Sequence, residues 1–312
     1  MPQGQCRLCG VESNLQLSHI LPAFVFRWLR ESSGNGYLRF GSSPNLRVQD
    51  GLKRHWLCVS CEGLLGRSET DFSAKLFYPF TSDGSNRIIY GEWLLHFCVS
   101  VSWRVLQFFK DETSLKGYEP DAVSRIAEAD ATWKAFLLSQ RPHPGIFEQH
   151  LLPFDAMESI SSRSGDLSPN LNRYLMRSVE MDLARGEKVN FIYSKLGRFV
   201  IVGFIREDRI SRWQGSKVHV KNGRIEPCRY TLPREFFEYL NSRARRETEL
   251  FSEISPRQLE KIDRSFRANA DKFVGSDAYV AMQNDLRMFG DAAFAPDYTL
   301  EEDRPKDSKK SS

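Results

Sequence analysis

The chain has 312 residues, 41% of them apolar and 27% charged, with a formal net charge of +4. This is the balance of a soluble globular protein, long enough for one large domain or two ordinary ones. No apolar run is long enough to cross a bilayer, and the mild positive charge permits a polyanionic partner without requiring one. The opening Met1-Pro2-Gln3-Gly4-Gln5 lacks the basic and apolar regions of a secretory signal, so a cytoplasmic location is expected.

In chain order, the pair Cys6-x-x-Cys9 ends at Gly10, suited to the positive φ of a tight cysteine turn. Leu15 to Ile20 alternates briefly and predicts a strand. Pro22 opens a helix with Phe24, Val25, Trp28 and Leu29 on its apolar stripe. Residues 32–51, rich in Ser, Gly, Asn and Pro, read as a loop. Leu57 leads into Cys58-x-x-Cys61, and a helix is expected from Glu62 to about Leu76.

Thr81 to Asn86 breaks the pattern and marks a domain boundary. Gly91 to Lys110 predicts a buried helix, its apolar run interrupted by His96, Ser100, Ser102, Arg104 and Gln107. Asp121 to Gln140 predicts an amphipathic helix. From Val189 the period shortens: 189–193 and 198–204 predict a hairpin, and 217–220 with 223–225 predict two short strands about Asn222-Gly223. Pro233 opens a helical region, and Ser255-Pro256 starts another helix as N-cap and first residue.

In a reducing compartment, paired Cys-x-x-Cys motifs favour metal over disulfide. Two thiolates from each of two tight turns complete a tetrahedral zinc shell, so Cys6, Cys9, Cys58 and Cys61 are the expected structural ligands. Cys98 lies in an apolar helical pattern and reads as buried filler, and Cys228 has no assigned role. Such an ion would draw Ser18-His19-Ile20-Leu21-Pro22 into the same small module.

The order Cys-x-x-Cys, His-Ile-x-Pro, Leu-Cys-x-x-Cys resembles the zinc-knuckle branch of the HNH endonuclease family over residues 6 to about 75. The resemblance implies a small zinc-bound ββα, treble-clef-like module at 1–80, and with the elements read beyond it the chain is expected to be α+β. A larger helical domain with a short antiparallel sheet follows at 87–300, then a disordered tail at 301–312. It also implies metal-dependent hydrolysis of nucleic-acid phosphodiesters, DNA ahead of RNA. His19 matches the family's first histidine, the group that takes a proton from water. The family flanks it with an acidic residue and a second histidine that hold magnesium or manganese. Ser18 and Glu62 stand at those positions here. Glutamate is a hard ligand suited to magnesium, and Asp50 offers a further carboxylate from the connecting segment. The expected catalytic set is therefore His19, Glu62 and Asp50.

Plainer roles exist for each of these residues. His19 fits a packing role against the zinc core, Glu62 a carboxylate favoured at a helix N-terminus, and Asp50 before Gly51 a turn. Glu69 reads as a solvated helix residue and His55 as a surface histidine. Arg7, Arg27, Arg30, Arg39, Arg47, Lys53, Arg54 and Arg67 form either a phosphate-tracking surface or a solvated face balanced by nearby acids. Trp56 fits base stacking or the core. Arg243 to Arg246 reads as a helix with intrahelical pairs. The alternative to an endonuclease is a non-catalytic zinc module that binds nucleic acid or a protein. The second domain leaves a protein partner or a second copy of the chain open.

Overall fold

The computed structural model describes residues 1–33, 36–83, 88–112, 117–159, 167–227 and 229–294. Cys228 and the expected disordered tail lie outside them.

Strands β1 (Gln3–Gln5) and β2 (Glu12–Asn14) pair antiparallel and carry the first cysteine turn between them. Gly10 takes a φ of +80° there, and its N–H closes the turn on the Cys6 carbonyl at 2.8 Å. β3 (Gln16–His19) follows, then α1 (Ala23–Glu31) with Pro22 at its N-cap. Phe24, Val25, Phe26 and Trp28 of α1 are buried. The expected loop at 32–51 contains a hairpin instead, β4 (Leu38–Phe40) and β5 (Ser43–Val48). Its Ser, Gly, Asn and Pro content disguises strands that a distant helix supports. A Cβ on Gly41 would lie 2.6 Å from Leu250 Cδ1, so the hairpin backbone packs directly on that side chain.

β6 (Lys53–Leu57) pairs antiparallel with β3, placing His19 opposite Lys53. α2 (Val59–Phe72) starts at once, with Cys58 as N-cap. It continues through a π-helical turn at Ser73–Phe77 into α3 (Tyr78–Asp83). This helical stretch begins earlier and ends later than the expected Glu62–Leu76, because Phe72, Leu76, Phe77 and Phe80 are all buried along it.

After β7 (Ile88–Tyr90) come α4 (Glu92–Glu112), α5 (Pro120–Leu137), β8 (Gln149–Pro153), α6 (Leu171–Arg177) and β9 (Val179–Arg185). The predicted hairpin forms as β10 (Val189–Leu196) and β11 (Phe199–Glu207), turning at Gly197 with φ +59°. The resulting antiparallel sheet has the order β8-β11-β10-β9. Neither β8 nor β9 was expected. β9 does carry a readable alternation, Val179, Met181 and Leu183 against Glu180 and Asp182. The second expected hairpin is corrected: β12 (Gly223–Ile225) pairs with β7, and Lys217 makes an isolated bridge to His150. The remaining helices are α7 (Arg234–Ser252), α8 (Pro256–Arg267), α9 (Ala270–Phe273) and α10 (Asp277–Phe289).

The sheet is buried on both faces, and its strands alternate accordingly. Phe199, Ile201 and Ile205 face the cluster that holds α4 and the cysteine module. Val200, Val202 and Phe204 face a second cluster with Phe236 and Leu240 of α7. α4 crosses β11 so closely that a Cβ on Gly203 would sit 2.5 Å from Ser102 Oγ. The first cluster spans the break at 81–86. Phe72 stacks on Phe97 at 3.9 Å and meets Phe199 edge-on at 5.5 Å. Among the described residues no helix is long and apolar enough to cross a membrane.

Candidate metal centre and histidine site

The four cysteines converge as their spacing requires. One turn sits between β1 and β2, the other at the junction of β6 and α2, and Arg7 N–H bonds the Trp56 carbonyl at 2.9 Å to tie them together. All four sulfurs lie within 4.8 Å of one another. The Cys9 and Cys58 sulfurs are 3.8 Å apart. Sulfurs sharing one tetrahedral zinc would stand about 3.8 Å apart, given bonds of about 2.3 Å. The donor set therefore fits a metal ion such as zinc. Among the described residues it is the one place where three or more such ligand atoms gather.

The thiols show why the cluster favours a cation. Burial and then the neighbouring Cys58 and Cys9 sulfurs push the Cys61 thiol far above its ordinary value. Burial also raises Cys6, but the backbone N–H groups of Cys9, Cys58 and Leu8 outweigh it and bring that thiol down to about 7. The Cys61 N–H also points at Cys58 Sγ, 3.4 Å away. Four packed sulfurs cannot all ionise without a compensating positive charge.

β3 presents the two residues that resemble the nuclease motif. Successive side chains of a strand leave on opposite faces, so Ser18 and His19 point apart. Ser18 is buried and donates its hydroxyl to Glu62 Oε2 on α2 at 2.5 Å. His19 is one-fifth exposed, and its Nε2 lies 2.9 Å from Asp50 Oδ2. Sequence reasoning groups His19, Asp50 and Glu62 in one site. The structure instead forms two pairs, His19–Asp50 and Ser18–Glu62, and no hydrogen bond or ion pair joins them among the described residues.

Asp50 is the better anchored carboxylate. It accepts the Gly51 N–H at 2.8 Å and pairs with Lys53 at 2.6 Å. Burial would raise its carboxyl, but Lys53, His19 and Gly51 outweigh that and hold it at about 2. Gly51 is required by packing: a Cβ there would lie 2.2 Å from the Phe26 ring. This fixes the segment that brings Asp50 to the histidine.

Behind the strand sits Arg104 of α4, only 4% exposed. Its Nη1 donates to the His19 carbonyl at 3.0 Å, and its Nη2 pairs with Glu69 at 2.5 Å. Glu69 is thus no solvated residue. Sequence reasoning sees Arg104 only as a polar interruption of an apolar helix. An arginine amid Val101, Trp103, Val105 and Leu106 was itself a signal, since a buried charge requires a partner.

The basic residues around the module are largely engaged. Arg7 pairs with Asp111 at 2.8 Å and lies over the buried Trp56 ring at 4.6 Å, which assigns Trp56 to the core. Arg54 pairs with Glu112 at 2.6 Å. His55 stays exposed, its Nδ1 3.2 Å from the Leu15 carbonyl. Cys98 is fully buried, and burial pushes its thiol up. Compared with known proteins, the chain matches no family model, no curated sequence and no solved structure at a significant level.

Proposed function

We propose that the chain is a metal-dependent, HNH-like endonuclease that hydrolyses nucleic-acid phosphodiesters, with DNA ahead of RNA as substrate. The observation that carries this reading is the His19–Asp50 contact at 2.9 Å, on the strand that also turns Ser18 toward Glu62. Asp50 is ionised at neutral pH, and an ionised carboxylate only accepts hydrogen bonds, so His19 Nε2 carries the proton. In the neutral ring that leaves Nδ1 with its lone pair, the atom that would take a proton from attacking water. Asp50 fixes the ring, as an orienting carboxylate does for other catalytic histidines.

Glu62, with the Ser18 hydroxyl beside it, would hold a magnesium- or manganese-class ion. Such cations keep several waters and take only one or two carboxylates from the protein. When bound, that ion supplies charge stabilisation at the phosphate. Zinc on Cys6, Cys9, Cys58 and Cys61 would fix the module's shape without reacting.

A second reading is a non-catalytic zinc module that binds nucleic acid or a protein partner. Its non-catalytic part is favoured by the Ser18 hydroxyl closing on Glu62, and the pairing of Arg7, Lys53 and Arg54 with carboxylates favours a protein over a nucleic-acid partner. Purified protein incubated with plasmid and magnesium separates the two. Cleavage by wild type, lost in His19→Ala at unchanged zinc content, is the expected result. No cleavage by wild type, or equal cleavage by His19→Ala, rejects the catalytic role. Retarded migration without cleavage supports the second reading.

A further inference from the structure

A cavity of about 160 Å³ opens where the β4–β5 hairpin meets α7. Its charged lining is Arg39 from the hairpin, Glu180 from β9, and Arg243, Arg246 and Glu247 from α7. These charges do not cancel. Glu180 is fully occupied: the Tyr174 hydroxyl donates to it at 2.9 Å, and Arg243 pairs with its other oxygen. Arg243 also reaches Asp182 at 3.1 Å, yet its buried Nε has no acceptor among the described residues. Glu247 takes the Ser178 hydroxyl and the Asn170 amide, the latter at 3.3 Å. Burial lifts its carboxyl to about 7, which leaves it only part of a negative charge at neutral pH.

Two guanidiniums remain without an opposite charge. Arg39 donates to the Pro44 carbonyl at 2.9 Å and to the Gln258 amide oxygen at 3.2 Å, both neutral. Burial, and then Arg47 beside it, push Arg39 below the usual guanidinium value. Arg246 has no partner among the described residues. Arg39 is half-buried with only neutral acceptors, so an anion reaching it from the cavity would offset part of its desolvation, and Arg246 stands exposed on the same lining. The planar, multi-donor guanidinium recognises tetrahedral phosphate and planar carboxylate alike.

We propose that this cavity binds a small oxyanion, a phosphate monoester or a carboxylate, between the Arg39 and Arg246 guanidiniums. The volume suffices, since a cavity of about 150 Å³ holds a benzene-sized guest. The occupant would bridge the hairpin to α7, beside the place where Gly41 packs on Leu250 and where Arg39 and Asn45 bond Gln258 and the Glu253 carbonyl. The site is independent of the endonuclease reading and stands or falls without it.

Calorimetric titration of the full chain with inorganic phosphate, and separately with acetate, tests the assignment at constant ionic strength. One saturable site per chain is expected. Arg39→Gln and Arg246→Gln should each weaken it by about tenfold or more, the loss of a charge-assisted bond. Arg224→Gln, on β12 and outside the cavity, should leave it unchanged. Arg246 is exposed, so its variant keeps the fold, and circular dichroism checks this. Saturation by phosphate alone names a phosphate occupant. Equal saturation by acetate names a general oxyanion site. Absence of saturation with either probe, or titrations unchanged in both arginine variants, overturns the proposal.

Discussion

His19 and Asp50 are 31 residues apart in the chain and 2.9 Å apart in space. What joins them is the antiparallel pairing of β3 with β6, which sets His19 opposite Lys53 and leaves Asp50 just outside the ladder. Lys53 then serves Asp50, at 2.6 Å, rather than a phosphate. Asp50→Asn would remove the fixed acceptor, free the histidine tautomer and lower cleavage by about 10²-fold. It also carries a pH signature. The folded carboxyl sits at about 2 against an ordinary 3.8. As pH falls, the unfolded chain binds the proton first, so the stabilisation is complete above pH 3.8 and vanishes toward 2. Melting temperature should therefore fall more steeply across that window in wild type than in Asp50→Asn. Parallel curves would mean that the Lys53–Asp50–His19 cluster contributes nothing to folding.

At the scale of elements, α4 holds the histidine strand from behind. Arg104 is buried because it has three jobs within reach: the His19 carbonyl, the Glu69 carboxylate and its own helix carbonyl at Ser100. Arg104→Ala strands Glu69 in a poorly solvated place and should cost about 3 kcal/mol or more in urea unfolding. Adding Glu69→Leu should recover much of that loss, because an apolar pair can replace a buried ion pair at little cost. Additive losses in the double variant would show that the pair does not act as a unit. Arg177 locks the module from another side. It lies over the Trp28 ring at 4.7 Å and donates to the Leu29 carbonyl at 3.2 Å, capping the end of α1 from α6. The run at 243–246 behaves likewise. Its expected intrahelical pairs give way, for Arg243, to bonds with Glu180 and Asp182 on β9.

For the whole molecule, the cysteine module and the sheet share a buried cluster built from both halves of the sequence. Phe24, Phe72 and Phe77 would lie open to water without Phe97 and Phe199. A fragment of residues 1–83 should therefore aggregate or stay unfolded even with zinc, whereas the full chain should be monodisperse by size exclusion. A soluble fragment with dispersed amide resonances would show that the knuckle folds by itself. Chelation of the full chain tests the other constraint. If the four cysteines hold an ion, its removal should loosen β3, β6 and the start of α2 while the sheet core persists, seen as amide exchange confined to the first 80 residues.

The cysteine quartet, the strand before Pro22, helices α1, α4 and α5 and the β10–β11 hairpin are legible from residues alone. Each rests on short-range spacing: a Cys-x-x-Cys turn, an apolar period, a glycine with positive φ. The hairpin at 38–48, the pairing of β12 with β7, the strands β8 and β9 and the anchoring of His19 by Arg104 are not. Apart from β9, which pairs with β10 across a short turn, their stabilising partners lie tens to hundreds of residues away, as with Gly41 on Leu250 and Arg104 on the His19 carbonyl. Local pattern determines which side chains can meet a metal or form an element. Only packing decides which buried charge finds its counterpart, since desolvation must be offset by a partner that the neighbouring sequence does not contain.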